Sequence, residues 1–111
     1  MSASAALDRT LSALADPNRR AVVNLLRVRP RPAGEIAREI GLAPSALSRH
    51  LKTLRESGLV EESHPKFDAR VRVYALRAEP MIDLIRWLEE TEQLWSEQLS
   101  AFKAHLEAGE P

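Results

Sequence analysis

The sequence predicts a mainly α-helical fold with one small β-hairpin. Apolar residues recur at spacings of three and four in several segments, as in Leu47, Leu51 and Leu54, which places them on one face of an α-helix. Residues 70–76 instead alternate with a period of two, which is typical of a strand. Prolines and glycines separate these segments. At 111 residues the chain has the size of one domain, so we expect a single unit spanning residues 1–111.

Segment 44–57 is predicted to form the central helix of this fold. Pro44 suits the first position of a helix, where an N–H would have no partner, and Gly58 suits the left-handed residue that closes one. The three leucines form the apolar back of this helix. Its front carries hydroxyls and cations, namely Ser45, Ser48, Arg49, Lys52 and, further round, Arg55. Such a front suits phosphates and base edges in the DNA major groove, although an ordinary solvated helix shows the same pattern.

The preceding segment, 31–40, predicts a shorter helix that turns Ile36, Ala37 and Ile40 inward and ends at Gly41. A helix, a short glycine-containing turn and a second helix with a polar front together indicate a helix-turn-helix. This combination favours DNA binding over an ordinary surface helix.

Two helices are predicted before this motif. The first helix is predicted by the spacing of Leu7, Leu11 and Leu14. The second helix is predicted to run to residue 28, with Asp16 as its N-cap and Pro17 as its first residue. The prolines within segment 28–32 predict a break in regular structure.

A β-hairpin is predicted after the helix-turn-helix, with strands at 59–63 and 70–76 joined by a basic loop. In the second strand Val71, Val73 and Ala75 alternate with Arg70, Arg72 and Tyr74. A hairpin directly after a recognition helix is interpreted as a wing, and the alternative is an ordinary solvated hairpin. The wing is expected to reach phosphates or a flanking minor groove through Lys66, Arg70 and Arg72.

The last and longest helix is predicted over residues 79–108, with a heptad-like apolar seam and both tryptophans of the chain. The small core formed by residues 7–78 cannot cover so long an apolar face, so we expect a second copy to cover it. The predicted fold is therefore a winged helix-turn-helix that dimerises through its N- and C-terminal helices. The predicted interface comprises Leu7, Leu11, Met81, Ile85, Leu88, Trp95, Leu99 and Phe102.

The net charge is zero, but the charges are segregated. Residues 1–78 hold 14 Lys and Arg against 8 Asp and Glu, whereas residues 79–111 hold 2 against 8. This distribution predicts a basic face on the core and an acidic last helix directed away from DNA. The chain has no secretory-type apolar run at its start and no apolar stretch approaching the ~20 residues of a membrane span. We therefore expect a soluble, cytoplasmic protein with no membrane partner.

Taken together, and in their order along the chain, these motifs resemble those of the ArsR-type winged-helix transcriptional repressors of bacteria and archaea. The resemblance covers nearly everything from residue 7 to residue 106. It rests on LADPNRR at 14–20, EIA at 35–37, GL at 41–42, LSRHLKTLRESGLV at 47–60 and RVYAL at 72–76. It implies a homodimer that binds double-stranded DNA at an inverted-repeat operator near its own promoter. By position it implies that Ser45, Ser48, Arg49 and Lys52 face the groove.

The resemblance points to a metal-independent subgroup. Metal-sensing members carry cysteines in the first helix of the motif, where this chain has Ala33, Gly34 and Ala37, and the last helix offers a single histidine, His105. We expect no metal site and no cofactor, and the sequence leaves open which ligand or partner relieves repression.

An enzyme is the weakest alternative. The chain has no cysteine, no glycine-rich phosphate loop and three scattered histidines, so no catalytic residues are predicted. The second alternative is a winged-helix protein-interaction module that recruits another chain through its apolar last helix.

Overall fold

The structure is a computed structural model that describes residues 3–109, with side chains from residue 5. Within this range the chain forms five helices and three short strands. They are α1 (Ala3–Leu14), α2 (Pro17–Leu26), β1 (Arg31–Pro32), α3 (Ala33–Ile40), α4 (Pro44–Glu56), β2 (Val60–Ser63), β3 (Val73–Leu76) and α5 (Ala78–Ala108).

Side chains at the start of α2 form the hydrogen bonds that join α2 to the end of α1. Asp16 is the N-cap of α2, and its Oδ1 accepts hydrogen bonds from the backbone N–H groups of Asn18 (2.8 Å) and Arg19 (3.1 Å). The Arg19 guanidinium donates to the carbonyl of Ala13 at 2.6 Å, and that of Arg20 to the carbonyl of Leu14 at 2.8 Å. The predicted Asp16 cap is confirmed, and the free carbonyls at the end of α1 are satisfied by arginines.

The helix-turn-helix consists of α3, a turn at residues 41–43, and α4. Gly41 adopts a left-handed conformation with φ 77°, and its N–H donates to the carbonyl of Ala37. Pro44 stands at the start of α4, as predicted. At the other end Gly58 has φ 80°, and the N–H of Leu59 donates to the carbonyl of Leu54 at 3.0 Å, which closes the helix.

The sheet has three antiparallel strands in the order β1-β3-β2, whereas the sequence predicted two. Arg31 and Glu62 lie on either side of Tyr74 in the register. The prediction that segment 31–40 is wholly helical was wrong, because Arg31 and Pro32 pair with β3 and α3 begins only at Ala33.

Strand β3 is shorter than predicted and presents a different face to the core. It begins at Val73, since the preceding residues form turns around Asp68. The alternation had grouped Tyr74 with the exposed arginines, but Tyr74 is only 1 % exposed. The buried side of β3 is therefore the tyrosine side.

The core lies between α2, α3, α4 and the sheet. Its most deeply buried large side chains are Tyr74, Ile36, Leu47, Leu54, Leu59 and Val22. Ala13 of α1 also belongs to this core, and the partly buried Leu14 of α1 and Met81 of α5 pack against it. The core therefore holds the helix-turn-helix and the hairpin in one fixed arrangement.

Helix α5 extends away from the core. It has 31 residues, a length of about 46 Å at 1.5 Å per residue, and none of its residues is buried. Its first turns contact α1 and the core through Met81. The overall extents of 74 × 31 × 21 Å reflect this projection. The helix is not folded back wholly onto its own core.

Candidate nucleic-acid interface

Helix α4 has the two faces that the sequence predicted. Leu47, Leu51 and Leu54 are 2 %, 2 % and 0 % exposed and anchor the helix in the core. The predicted groove-facing residues Ser45, Ser48, Arg49 and Lys52 are all exposed. The packing of the leucines thus fixes which side chains of α4 face outward.

An open groove of about 240 Å³ lies between α4 and β3. It brings predicted residues of the helix together with one predicted residue of the hairpin. Its lining comprises Ser48, Arg49, Lys52, Arg55, Glu56, Arg72 and Tyr74. Four cations therefore converge on one concave surface, which we call the α4–β3 groove.

The four cations of the α4–β3 groove differ in their partners. Arg55 pairs with Glu62, and Lys52 Nζ lies 4.0 Å from Glu56 Oε1 in an exposed pair. Within residues 3–109 Arg49 and Arg72 form no ion pair with a carboxylate. Arg49 and Arg72 are the cations most available to an external anion, since no internal pair must be broken.

The other predicted hairpin residues lie outside this groove. Lys66 and Arg70 are exposed in the loop between β2 and β3. The Arg70 side chain is 92 % exposed, and its Nε lies 3.2 Å from Asp68 Oδ1. Lys66 and Arg70 therefore do not line the α4–β3 groove, but they extend the basic surface beyond Arg72.

A shared carboxylate behind the groove was missed by sequence reasoning. Glu62 Oε2 accepts from the Arg55 guanidinium and from the Tyr74 hydroxyl, the latter at 3.2 Å. His64 Nε2 lies 3.7 Å from the other carboxylate oxygen. Burial, together with the charge of Glu62, raises the pKa of Tyr74 against the opposing effect of Arg72. No local periodicity links these residues, so the pattern alone gave no signal.

The arginines before α3 are held by an acidic partner. Arg31 Nη1 lies 3.2 Å from Glu35 Oε1, and Arg29 pairs with the same carboxylate. The hydrogen bond from Arg29 holds the pKa of Glu35 below its usual value. Arg29 and Arg31 therefore stabilise the β1–α3 junction, and a role in contacting DNA would require them to leave Glu35.

The predicted interface residues occupy two environments. Leu7 and Met81 are half-buried, and Met81 packs on the core. The others are exposed on α1 and α5: Leu11 (40 %), Ile85 (52 %), Leu88 (50 %), Trp95 (59 %), Leu99 (60 %) and Phe102 (61 %). Leu94 and Leu106 are 55 % and 53 % exposed on the same distal half of α5. The distal half of α5 thus carries a long apolar surface that its own core does not cover.

Neither a cluster of metal ligands nor a membrane-spanning helix is found in the described part of the chain. Across residues 3–109 no three or more His, Cys, Asp or Glu side chains come together as a metal-binding group. No helix in the same range is long and apolar enough to cross a bilayer.

A helix-turn-helix with a cationic second helix, followed by a β-hairpin at its side, defines a winged helix-turn-helix protein. Comparisons with known proteins agree with this class. The family model described as "Bacterial regulatory protein, arsR family" matches residues 16–62. The crystal structure of an ArsR family transcriptional regulator, RHA00566, superposes with a TM-score of 0.74 at 32% identity, covering 84% of this chain and 93% of that one. The chain belongs to the ArsR family of bacterial regulatory proteins.

Two curated relatives give the family context. The HTH-type transcriptional regulator Rv2034 of Mycobacterium tuberculosis is 45% identical over 53 residues, which are 48% of this chain and 50% of that protein. The transcriptional repressor SdpR of Bacillus subtilis is 27% identical over 82 residues, which are 74% of this chain and 88% of that protein. The match with Rv2034 thus spans only about half of that relative's length.

Proposed function

We propose that this protein is a sequence-specific DNA-binding transcriptional regulator that acts as a homodimeric repressor. The observation that carries the proposal is the α4–β3 groove, in which Arg49 and Arg72 are exposed and, among the residues that the structure describes, form no ion pair. In this proposal residues 7–78 form the DNA-binding core and wing, and residues 79–108 form the dimerisation helix. The operator is an inverted repeat near the protein's own promoter.

Phosphate contacts supply much of the proposed affinity. Arg49, Lys52 and Arg72 approach the DNA backbone from the groove, and Lys66 and Arg70 approach it from the loop of the wing. Each phosphate neutralised releases counterions, so the affinity falls steeply as salt rises. All five cations are exposed, which supports their availability for such contacts.

Base contacts supply the proposed specificity. Ser45, Ser48 and Arg49 stand on the exposed side of α4, the helix that enters the major groove. A bidentate arginine contact to guanine contributes about 1–3 kcal/mol of discrimination against a wrong base. The N-terminus of α4 begins with Ala43 and Pro44, so base reading there depends mainly on the two serines.

The dimer is proposed from the apolar surface of α5. Nine of its large hydrophobic side chains are at least 41 % exposed: Ile82, Ile85, Trp87, Leu88, Leu94, Trp95, Leu99, Phe102 and Leu106. A second copy offers the same surface in return, which a twofold interface requires. Two recognition helices then lie about 34 Å apart and meet successive major grooves. The repressor role is supported by the naming of SdpR as a repressor.

The same α5 surface supports a second candidate, a winged-helix module that docks a different protein. The two candidates differ in the state of the purified protein and in its binding of DNA. A homodimer that protects a palindromic duplex supports the regulator. A monomer that binds no duplex supports the docking module.

The deciding experiment is selection of bound sequences from random duplex DNA with the full chain. We expect recovery of an inverted repeat whose half-sites are one DNA turn apart. Arg49→Ala should then weaken binding to the recovered duplex and reduce the slope of log affinity against log salt by about 1. Arg86→Ala on α5 is the control and should leave both unchanged. Failure to recover any common sequence would contradict sequence-specific binding.

A further inference from the structure

The tip of the wing, residues 64–71, is an ordered pair of turns. The N–H of Asp68 donates to the carbonyl of Pro65, and the N–H of Val71 donates to the carbonyl of Asp68, both at 3.2 Å. Asp68 Oδ1 also accepts from the backbone N–H (3.0 Å) and Nε (3.2 Å) of Arg70. His64 Nδ1 lies 3.0 Å from the carbonyl oxygen of Val71 and ties the two sides of the loop together. The side chains at the tip are therefore presented from a hydrogen-bonded backbone.

Phe67 lies at the apex of the first turn and is 88 % exposed. It is the most exposed large hydrophobic side chain in residues 5–109, ahead of Val28 at 73 %. Phenylalanine buries about 150–250 Å² when it is covered, so contact with a partner would be favourable. Single exposed apolar residues are common on protein surfaces, so the position of Phe67 in the fold is what sets it apart.

Phe67 stands among charged residues at the end of the wing. Lys66 and Arg70 are exposed in the same loop, where Arg70 pairs with Asp68, the residue after Phe67. Arg72, immediately before β3, lines the α4–β3 groove with Arg49. Phe67 lies five positions before Arg72, a span of at most about 17 Å for an extended chain. A minor groove lies half a turn, roughly 17 Å, along the duplex from a major groove. The turns between Pro65 and Val71 make the actual span shorter than this upper limit, so the wing must lie across the intervening phosphates for Phe67 to reach the flanking minor groove.

Resting on the function proposed above, we propose that Phe67 is an apolar wedge that enters the minor groove beside the recognition site. The ring packs against one base step and partly unstacks it, while Lys66 and Arg70 contact the phosphates on either side. Apolar side chains that insert in this way kink the duplex toward the major groove. A protein surface is the other occupant to consider, but Lys66 beside Phe67 and the 92 % exposed Arg70 match the phosphates that line a minor groove.

The test uses the full chain and the duplex recovered by selection, with 2-aminopurine placed at successive flanking positions. Binding of the unmodified protein should raise the fluorescence at one flanking step, because the base there loses its stacking, and should bend the duplex. Phe67→Ala should abolish both signals and weaken binding about tenfold. It should leave the salt slope unchanged, because no charge is lost. Phe67→Leu, which keeps an apolar wedge, should retain part of the signal.

Two controls test whether the Phe67 ring itself causes these signals. Val28→Ala removes another highly exposed apolar side chain and should change neither fluorescence nor affinity. Thermal melting of Phe67→Ala should match that of the unmodified protein, because the ring is almost fully exposed in the free protein. If Phe67→Ala binds the duplex with unchanged affinity and gives the same fluorescence as the unmodified protein, the proposed wedge is wrong, while the proposed DNA-binding function stands. If the unmodified protein binds no duplex at all, the proposed function fails and the wedge fails with it.

Discussion

Arg55 in the last turn of α4 donates to the same oxygen of Glu62 that accepts the hydrogen bond of Tyr74. One carboxylate on β2 thus joins the recognition helix to both strands of the hairpin. The Glu62 side chain is 18 % exposed and that of Arg55 is 46 % exposed, so the ion pair is partly screened by water. Both the core and this junction therefore connect α4 to the hairpin.

Glu62→Ala is predicted to lower the free energy of unfolding by about 1–3 kcal/mol, because the buried Tyr74 hydroxyl loses its acceptor. Urea unfolding measures the change. Glu61→Ala, on the same strand but exposed, is the matched control and should stay within about 0.5 kcal/mol of the unmodified protein. Tyr74→Phe should make Glu62→Ala less costly. Equal stability of Glu62→Ala and the unmodified protein would contradict the importance of this junction.

Alkaline pH is predicted to destabilise the fold through Tyr74. Its pKa in the folded protein is raised above the ordinary 10.0, chiefly by burial. The neutral phenol therefore contributes stability that is fully present below pH 10.0 and is lost as the pH rises from there toward the raised pKa. Tyr74 is the single tyrosine of the chain, so tyrosinate absorbance reports its titration directly. Tyr74→Phe should flatten the alkaline loss of stability, and titration of the folded protein at 10.0 would contradict the raised pKa.

Gly41→Ala is predicted to lower the free energy of unfolding by about 1–2 kcal/mol. Apart from Gly41 and its two chain neighbours, no heavy atom of the described residues lies within 4 Å of the position that a Cβ would take, so the cost is that of the left-handed backbone at φ 77°. Gly34→Ala is the opposite case, because Gly34 lies within α3, where its Cβ would meet only the flexible Arg38 Nη1 at 3.6 Å. We expect Gly34→Ala to stabilise the protein by about 0.5–1 kcal/mol. Chemical denaturation measures the free energy of unfolding of both variants, which should fall for Gly41→Ala and rise for Gly34→Ala. An unchanged free energy of unfolding in Gly41→Ala would be inconsistent with a backbone cost at this turn.

Trp95→Glu is predicted to weaken the proposed dimer by at least about tenfold in Kd, because each copy loses a large apolar side chain from the interface. Sedimentation equilibrium measures the dissociation. Both tryptophans of the chain lie on α5, so their emission should also shift to longer wavelength when the dimer separates. Ser96→Glu, one residue away on the same helix, is the matched control. A Trp95→Glu variant that remains as dimeric as the unmodified protein would place the interface elsewhere.

The helical part of the fold was predictable because each helix carries its own local signals. The apolar spacing of Leu47, Leu51 and Leu54, the Asp16 cap and the left-handed Gly58 are readable without knowledge of any distant residue. The exposed front of α4 follows from the same spacing. These features recur wherever a helix packs one face on a core.

The missed features all depend on residues that are distant in sequence. Strand β1 is two residues long and exists only because Arg31 and Pro32 pair with β3, more than forty positions later. Tyr74 packs in the core, and Glu62 on the neighbouring strand β2 satisfies its hydroxyl there, a contact that no periodicity encodes. The roles of the site and interface residues remain predictions for the experiments above.

The short sheet also governs how copies of this protein can meet. Its β1 edge offers two residues, one of which is a proline without an N–H, so an approaching strand finds almost no donors there. The other edge, β2, carries the exposed Glu61, whose charge repels an identical strand aligned beside it. Both edges therefore disfavour edge-to-edge sheet growth, a common route to fibrous aggregates.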